Sequence, residues 1–149
     1  MPHSLSDEQL SQAIETMMVE QNLRGMQNLY AYQQTGTYLR AAKSLFDAKS
    51  TVLIGTGFAV KQTFETDGPV GAIALYNALI TLGKNPILVC GNPLYSALKN
   101  EFNCFELPLN NFTDAMAFSK AALAELKPDC VLSIERPGLC HGNKYYNMR

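Results

Sequence analysis

Charge is sparse in this chain of 149 residues. Only 17% of the residues are charged, the formal net charge is −1, and the basic side chains are scattered. A nucleic-acid footprint needs a basic patch or stripe, so the charge pattern argues against such a partner. Cysteine is also thinly used. Cys90, Cys104, Cys130 and Cys140 form no C-x-x-C pair, which speaks against a zinc knuckle. Cys90 and Cys130 fall at the ends of apolar stretches read as buried strands, where a small apolar core residue is the expected role. Thiols used in this way fit a reducing compartment, and a cytoplasmic setting is expected. The opening stretch, Met1-Pro-His-Ser-Leu-Ser-Asp-Glu8, lacks the basic and apolar regions of a signal peptide. No apolar run is long enough to cross a bilayer, so no membrane partner is expected. The phosphate-binding signatures are missing too. Gly55-Thr-Gly57 has no third glycine, no acidic residue ends the next strand, and there is no Gly-Lys-Ser/Thr element.

What is present reads as a globular α/β domain. Hydrophobic residues make up 47% of the chain, enough for a normal core in a single domain spanning 1–149. Residues 1–49 read as a helical extension. Ser6-Asp-Glu-Gln9 is a capping-box pattern, and Leu10, Ile14, Met17 and Met18 follow at helical spacing, predicting a helix over 7–20. Arg24-Gly25 reads as a turn, 26–34 as a short helix, and Thr37 as the cap of a helix carrying Leu39, Ala42, Leu45 and Phe46 on one face. Residues 50–149 then alternate between strands and helices. Strands are predicted at Val52–Ile54, Pro86–Cys90, 102–107 and Cys130–Ile134, with the third more polar and nearer an edge. Helices are predicted at Pro69–Leu82, 93–100 and 113–126, the last capped by Thr113. Apolar strands separated by helices imply a Rossmann-like, mainly parallel sheet of about four strands with helices on both faces. No helix follows the last strand, so the sheet is expected to be incomplete: a fragment, or a subunit finished by another chain or a second copy.

Chemistry in open α/β sheets gathers at the carboxyl ends of strands. Residues 55–71 follow one such end and 135–149 another, so parallel topology places both loops on one rim. If the two strands are neighbours, Glu65, Asp67, Glu135 and Arg136 surround one crevice. Each also has a plainer reading. Asp67 could cap the helix at Pro69, and Glu65 could be a solvated loop charge. Gly68 and Gly71 could serve backbone conformation and close packing. Glu135 and Arg136 are adjacent and point opposite ways in an extended loop, so one can face the crevice while the other makes a salt bridge. His141 is an isolated histidine and a poor metal signal, while Tyr145 and Tyr146 read as packing residues.

Gly55-Thr-Gly-Phe58, Glu65-Thr-Asp-Gly-Pro-Val-Gly71, Glu135-Arg-Pro-Gly138 and Tyr145-Tyr-Asn-Met-Arg149 together resemble the signature blocks of the D-glutamate cyclase family. Arg24-Gly25 and the Ala41-Ala42…Leu45 stretch resemble that family's N-terminal segment, so the resemblance runs from about Arg24 to the end. It implies an α/β domain that converts D-glutamate to 5-oxo-D-proline with loss of water. Family members continue beyond the Asn-Met-Arg block, so the chain resembles the N-terminal half of the cyclase domain.

Such a cyclisation joins the substrate's amine to its own side-chain carboxyl carbon. Holding the folded-back conformer supplies much of the help. The amine must lose a proton and the departing oxygen must gain one, a division that paired carboxyl groups can perform. Glu65, Asp67 and Glu135 are therefore the expected catalytic residues. Arg136 is expected to hold the α-carboxylate, with Gly55, Gly57, Gly68 and Asn147 also contacting substrate, and amides at the helix start are expected to steady the oxyanion. No cofactor is expected and no metal ligand is assigned, a divalent metal bridging the carboxylates being the alternative use of these groups. Three other readings compete. One is a non-catalytic module binding an acidic amino acid or carboxylate. The others are a nucleotide- or phosphate-dependent Rossmann-like protein and an inactive fragment needing a partner chain.

Overall fold

The computed structural model describes residues 4–60, 62–108 and 114–142. Contacts divide the chain into two compact units, Met1–Asp47 and Ala48–Arg149.

The first unit is helical. Helix α1 spans Asp7–Val19 and opens on the capping box: Ser6 Oγ accepts from Gln9 N at 3.3 Å, and Gln9 Oε1 accepts from Ser6 N at 2.9 Å. A short 3₁₀ turn, Leu23–Gly25, holds Arg24 and Gly25 at positive φ and leads into α2, Met26–Tyr30. Helix α3 runs Thr37–Asp47, so Thr37 is its first residue and not its cap. Glu15 ties these helices together. It is buried, and its carboxylate accepts from Ser11 Oγ at 3.3 Å, Tyr30 OH at 3.0 Å and Tyr38 N at 3.1 Å. A buried carboxylate is tolerable only with such partners.

In the second unit, β1 (Thr51–Gly55), β4 (Asn85–Cys90), β5 (Cys104–Glu106) and β6 (Cys130–Ser133) form a four-stranded sheet in the order β5-β4-β1-β6, with every pairing parallel. Helices α4 (Asp67–Thr81), α5 (Leu94–Leu98) and α6 (Ala115–Leu126) lie around it. A two-residue hairpin, β2 (Ala59–Val60) with β3 (Thr63–Phe64), interrupts the passage from β1 to α4 and was not expected from the sequence. The core is made by Val52, Leu53 and Ile54 of β1, Ile87, Leu88 and Cys90 of β4, and Ala72 and Leu79 of α4. Strand β5 lies at one edge, as its polarity suggested.

Strand β6 differs from expectation. It forms the other edge, and its residues are half-buried or exposed, with Val131 62% exposed, although the apolar run Cys130-Val-Leu-Ser-Ile134 had read as buried. Cys130 is likewise only half-buried, whereas Cys90 is fully buried. The start of β6 is pinned to the start of β1 by Asp129, whose Oδ2 accepts from Ser50 N at 2.7 Å and Thr51 N at 3.1 Å. Helix α6 is capped by Asp114, whose Oδ1 accepts from Ala117 N at 2.9 Å; the proposed cap Thr113 lies outside the described residues.

Candidate functional site

Strand order decides where the site falls. From β1 the chain crosses to β4 and β5 on one side, then returns to place β6 on the other side of β1. The order therefore reverses between β1 and β6, and the crevice outside their carboxyl ends is the topological switch point of the sheet. Ile54 pairs with Leu132 and Gly55 with Ser133, so the turns that follow leave the sheet side by side.

Three of the expected residues converge there. The hairpin brings the chain back so that Glu65 N donates to Phe58 O at 3.0 Å, and α4 begins two residues later. Glu135, at φ 49°, turns toward the same place from the end of β6. Carboxylate oxygens of Glu65, Asp67 and Glu135 lie within 4.8 Å of one another; Glu65 is half-buried and the other two are exposed. Two unit charges at about 4 Å repel by about 1 kcal/mol in water and about 4 kcal/mol near a protein surface. A cluster of this kind favours a cationic group.

Gly68 makes the convergence feasible. A Cβ on Gly68 would stand 2.4 Å from Glu135 Cβ and 2.9 Å from Glu135 Cγ, so only a residue without a side chain lets Glu135 descend against the start of α4. Arg136 also passes close to Gly55, its Cδ lying 3.3 Å from the point where a Cβ would stand, a contact that a side chain there would push back by only a few tenths of an ångström. Arg136 Nη1 then donates to the Thr56 carbonyl at 3.0 Å, using one of its five N–H donors. Gly57 adopts φ 99°, a conformation that L side chains rarely adopt. The expected substrate-contacting glycines thus make room for neighbouring side chains or set the backbone. Asn147, Tyr145 and Tyr146 lie outside the described residues.

Asp67 corrects the expected helix start. Helix α4 begins at Asp67 rather than Pro69, Thr66 occupies the cap position without a side-chain cap bond, and Asp67 Oδ1 accepts from the adjacent Gly68 N at 3.1 Å. Pro69 has no N–H, and Val70 N donates to Thr66 O at 3.3 Å. The amides that had been expected to steady an oxyanion are therefore mostly committed.

A cavity of about 740 Å³ opens beside the carboxylate cluster. Arg136, Asn92, Ser119 and Ser133 supply polar groups; Leu94 and Phe118 are among the apolar ones, and Arg136 is its one charged group among the described lining residues. The residues taken as one acid-lined crevice therefore divide. Arg136 faces the cavity, and the three carboxylates gather beside it, outside its lining. Sequence reasoning missed Asn92, Ser119 and Ser133. It also passed over Thr56, which is fully buried and whose Oγ1 has no hydrogen-bond partner. Its position between two singled-out glycines was the available signal.

The carboxylates and the arginine thus stand at the switch point of a parallel α/β sheet of the Rossmann-like class, the place where such sheets gather their chemistry. A family model described as D-glutamate cyclase-like, C-terminal, matches residues 14–149, and the chain belongs to that family. No curated protein matches the chain. No helix among the described residues is long and apolar enough to cross a membrane.

Proposed function

We propose that this domain cyclises D-glutamate to 5-oxo-D-proline with loss of water. The observation carrying this reading is the meeting of Glu65, Asp67 and Glu135 next to Arg136 at the switch point, in a chain of the D-glutamate cyclase-like family. The substrate carries one ammonium and two carboxylates. Arg136 takes the α-carboxylate through the guanidinium donors not used on Thr56, a charge-assisted fork. The ammonium lies against the carboxylate cluster, where Asp67 or Glu65 accepts its proton. The freed amine attacks the carbon of the substrate's own side-chain carboxyl group, forming the C–N bond of the lactam. The nitrogen sheds a second proton to the carboxylate cluster as the amide forms. The departing oxygen takes up two protons, one from Glu135 acting as the acid and one returned by the cluster, so that the C–O bond breaks with water as the leaving group. The proton left on the cluster restores Glu135. Binding both ends of one flexible molecule supplies the orientation that an intramolecular reaction needs. The adjoining cavity, about 740 Å³, is ample for one amino acid.

A second reading draws on the cavity lining. Arg136 is the one charged group among its described residues, which suits capture of an acidic amino acid or carboxylate without turnover. One experiment separates the two. The folded chain is incubated with D-glutamate, and 5-oxoproline is followed by chiral chromatography, with thermal shift run in parallel. Lactam formation that drops in Glu65→Gln, Asp67→Asn and Glu135→Gln supports cyclisation. Stabilisation by D-glutamate without lactam overturns it in favour of binding alone, and near-normal turnover in all three variants ends the assignment of roles.

A further inference from the structure

The cavity beside Arg136 is larger than one amino acid needs. At the about 30 Å³ that a water takes in the liquid, about 740 Å³ has room for about two dozen non-hydrogen atoms, against about ten in glutamate. Its apolar walls come from separate segments: Phe64 on the hairpin, Leu94 in α5, Leu107 after β5, Phe118 in α6 and Leu139 after β6. Its polar side chains divide by what they already hold. Asn92 is engaged at both ends of its amide: Nδ2 donates to Glu106 Oε1, and Oδ1 accepts from Ser96 Oγ. Ser119 Oγ donates to the Ala115 carbonyl at 2.8 Å, within its own helix. Both are spent on the protein itself. Arg136 is not. Among the described residues it makes one hydrogen bond, to the Thr56 carbonyl, and a guanidinium has five N–H donors. A half-buried cation with unused donors, and no other charge among the described lining residues, suits an anion. Away from Arg136 the walls offer mainly apolar contact.

We infer that this cavity binds a second class of ligand, an aliphatic monocarboxylate of medium chain length, with its carboxylate on Arg136 and its hydrocarbon body against Leu94, Phe118 and Leu139. The charge of the head group follows from its neighbours. Glu65, Asp67 and Glu135 gather beside Arg136 and repel a doubly charged phosphate about twice as strongly as a singly charged carboxylate. The body follows from the walls. A hydrocarbon needs no hydrogen-bond partner, so the engaged Asn92 and Ser119 cost it nothing, whereas a polar body of the same size would lose its water without replacement. The space beyond the reach of glutamate is what the hydrocarbon fills. The inference shares Arg136 with the proposed cyclisation and needs no reaction to take place.

The test is isothermal titration calorimetry of the full chain, without D-glutamate, against butanoate, hexanoate and octanoate, with octanol and octyl phosphate as head-group controls. Expected is one saturable site whose affinity rises about two- to fourfold for each methylene added. Octanol and octyl phosphate should each bind about tenfold or more weakly than octanoate. Arg136→Gln should weaken octanoate by about tenfold or more. Leu139→Asp sets a carboxylate against the hydrocarbon at a position 60% exposed, where the fold tolerates it, and should weaken octanoate by a similar factor. Circular dichroism checks both variants, and the Leu139 variant decides if the Arg136 variant fails to fold. No saturable octanoate binding at millimolar concentration overturns the inference. So does an affinity that stays flat along the chain-length series, octyl phosphate binding as tightly as octanoate, or wild-type affinity in a folded variant. Lactam formation from D-glutamate is assayed separately. Octanoate binding without lactam leaves this inference standing and the cyclisation fallen; lactam without octanoate binding gives the reverse.

Discussion

Replacing Gly68 with alanine tests how the site is assembled. On propensity alone the change helps, because alanine is favoured over glycine inside a helix by about 1 kcal/mol. The geometry opposes it. The new Cβ would lie 2.4 Å from Glu135 Cβ, where comfortable carbon contacts are about 3.5–4.0 Å. Relief requires about 1 Å of movement, and the atom in the way is a Cβ next to the backbone, not the tip of a flexible chain. Overpacking of this order costs about 1–3 kcal/mol, so the net expectation for Gly68→Ala is a loss of up to about 2 kcal/mol. Urea unfolding followed by circular dichroism reads it directly. A second background makes the reasoning refutable. Glu135→Gly removes the obstructing carbon and also suits the positive φ of that residue. There, Gly68→Ala should become neutral or stabilising by up to about 1 kcal/mol. An equal loss in both backgrounds would refute the contact as the cause.

Leu79→Ala, at a position 1% exposed on α4, should cost about 2–5 kcal/mol in the same assay. Arg136→Lys should weaken D-glutamate binding by about tenfold or more in calorimetry, because a lysine cannot keep the Thr56 carbonyl and also fork onto a carboxylate. Burial pushes the Cys90 thiol up to about 11, with the Cys104 thiol and Glu106 adding in the same direction and Arg136 opposing. An unfolded thiol ionises near about 8.5, so the unfolded chain sheds this proton first and the stabilisation, complete below that pH, is lost as pH rises toward 11. The urea midpoint should fall across that window, and Cys90→Ala should flatten the fall. An alkylating reagent should meanwhile reach the exposed Cys140 before Cys90.

Much of the architecture was legible because period and punctuation agreed. The apolar runs of β1 and β4 between helical stretches implied a parallel sheet, and the capping box at Ser6 marked the start of α1. The burial of β6 was misjudged because an apolar edge strand and a central one look alike in sequence, and nothing local says on which side a neighbour is missing. The hairpin at 59–64 was too short to carry an alternation signal. Bringing together Glu65, Asp67 and Glu135 needed only parallel topology and adjacent strands, and both hold. The separation of Arg136 into a cavity beside them depended on which way a left-handed Glu135 turns the chain, a backbone choice that a non-glycine residue does not advertise. The glycines were noticed as candidates for touching a ligand, and the close approach of Glu135 to Gly68 and of Arg136 to Gly55 is a further feature that only the folded chain displays.

The pairing of β6 with β1 joins segments from nearly opposite ends of the second unit, Val52 lying against Cys130. A partly folded chain that has assembled only β5, β4 and β1 would own most of its core and, of the carboxylate cluster, Glu65 and Asp67 alone, since Glu135 and Arg136 arrive with β6. The three-carboxylate cluster is then assembled only when β6 docks. A partly folded copy carries only half of the proposed site, and affinity for D-glutamate, where the proposal holds, should appear during refolding with the docking of this one peripheral strand.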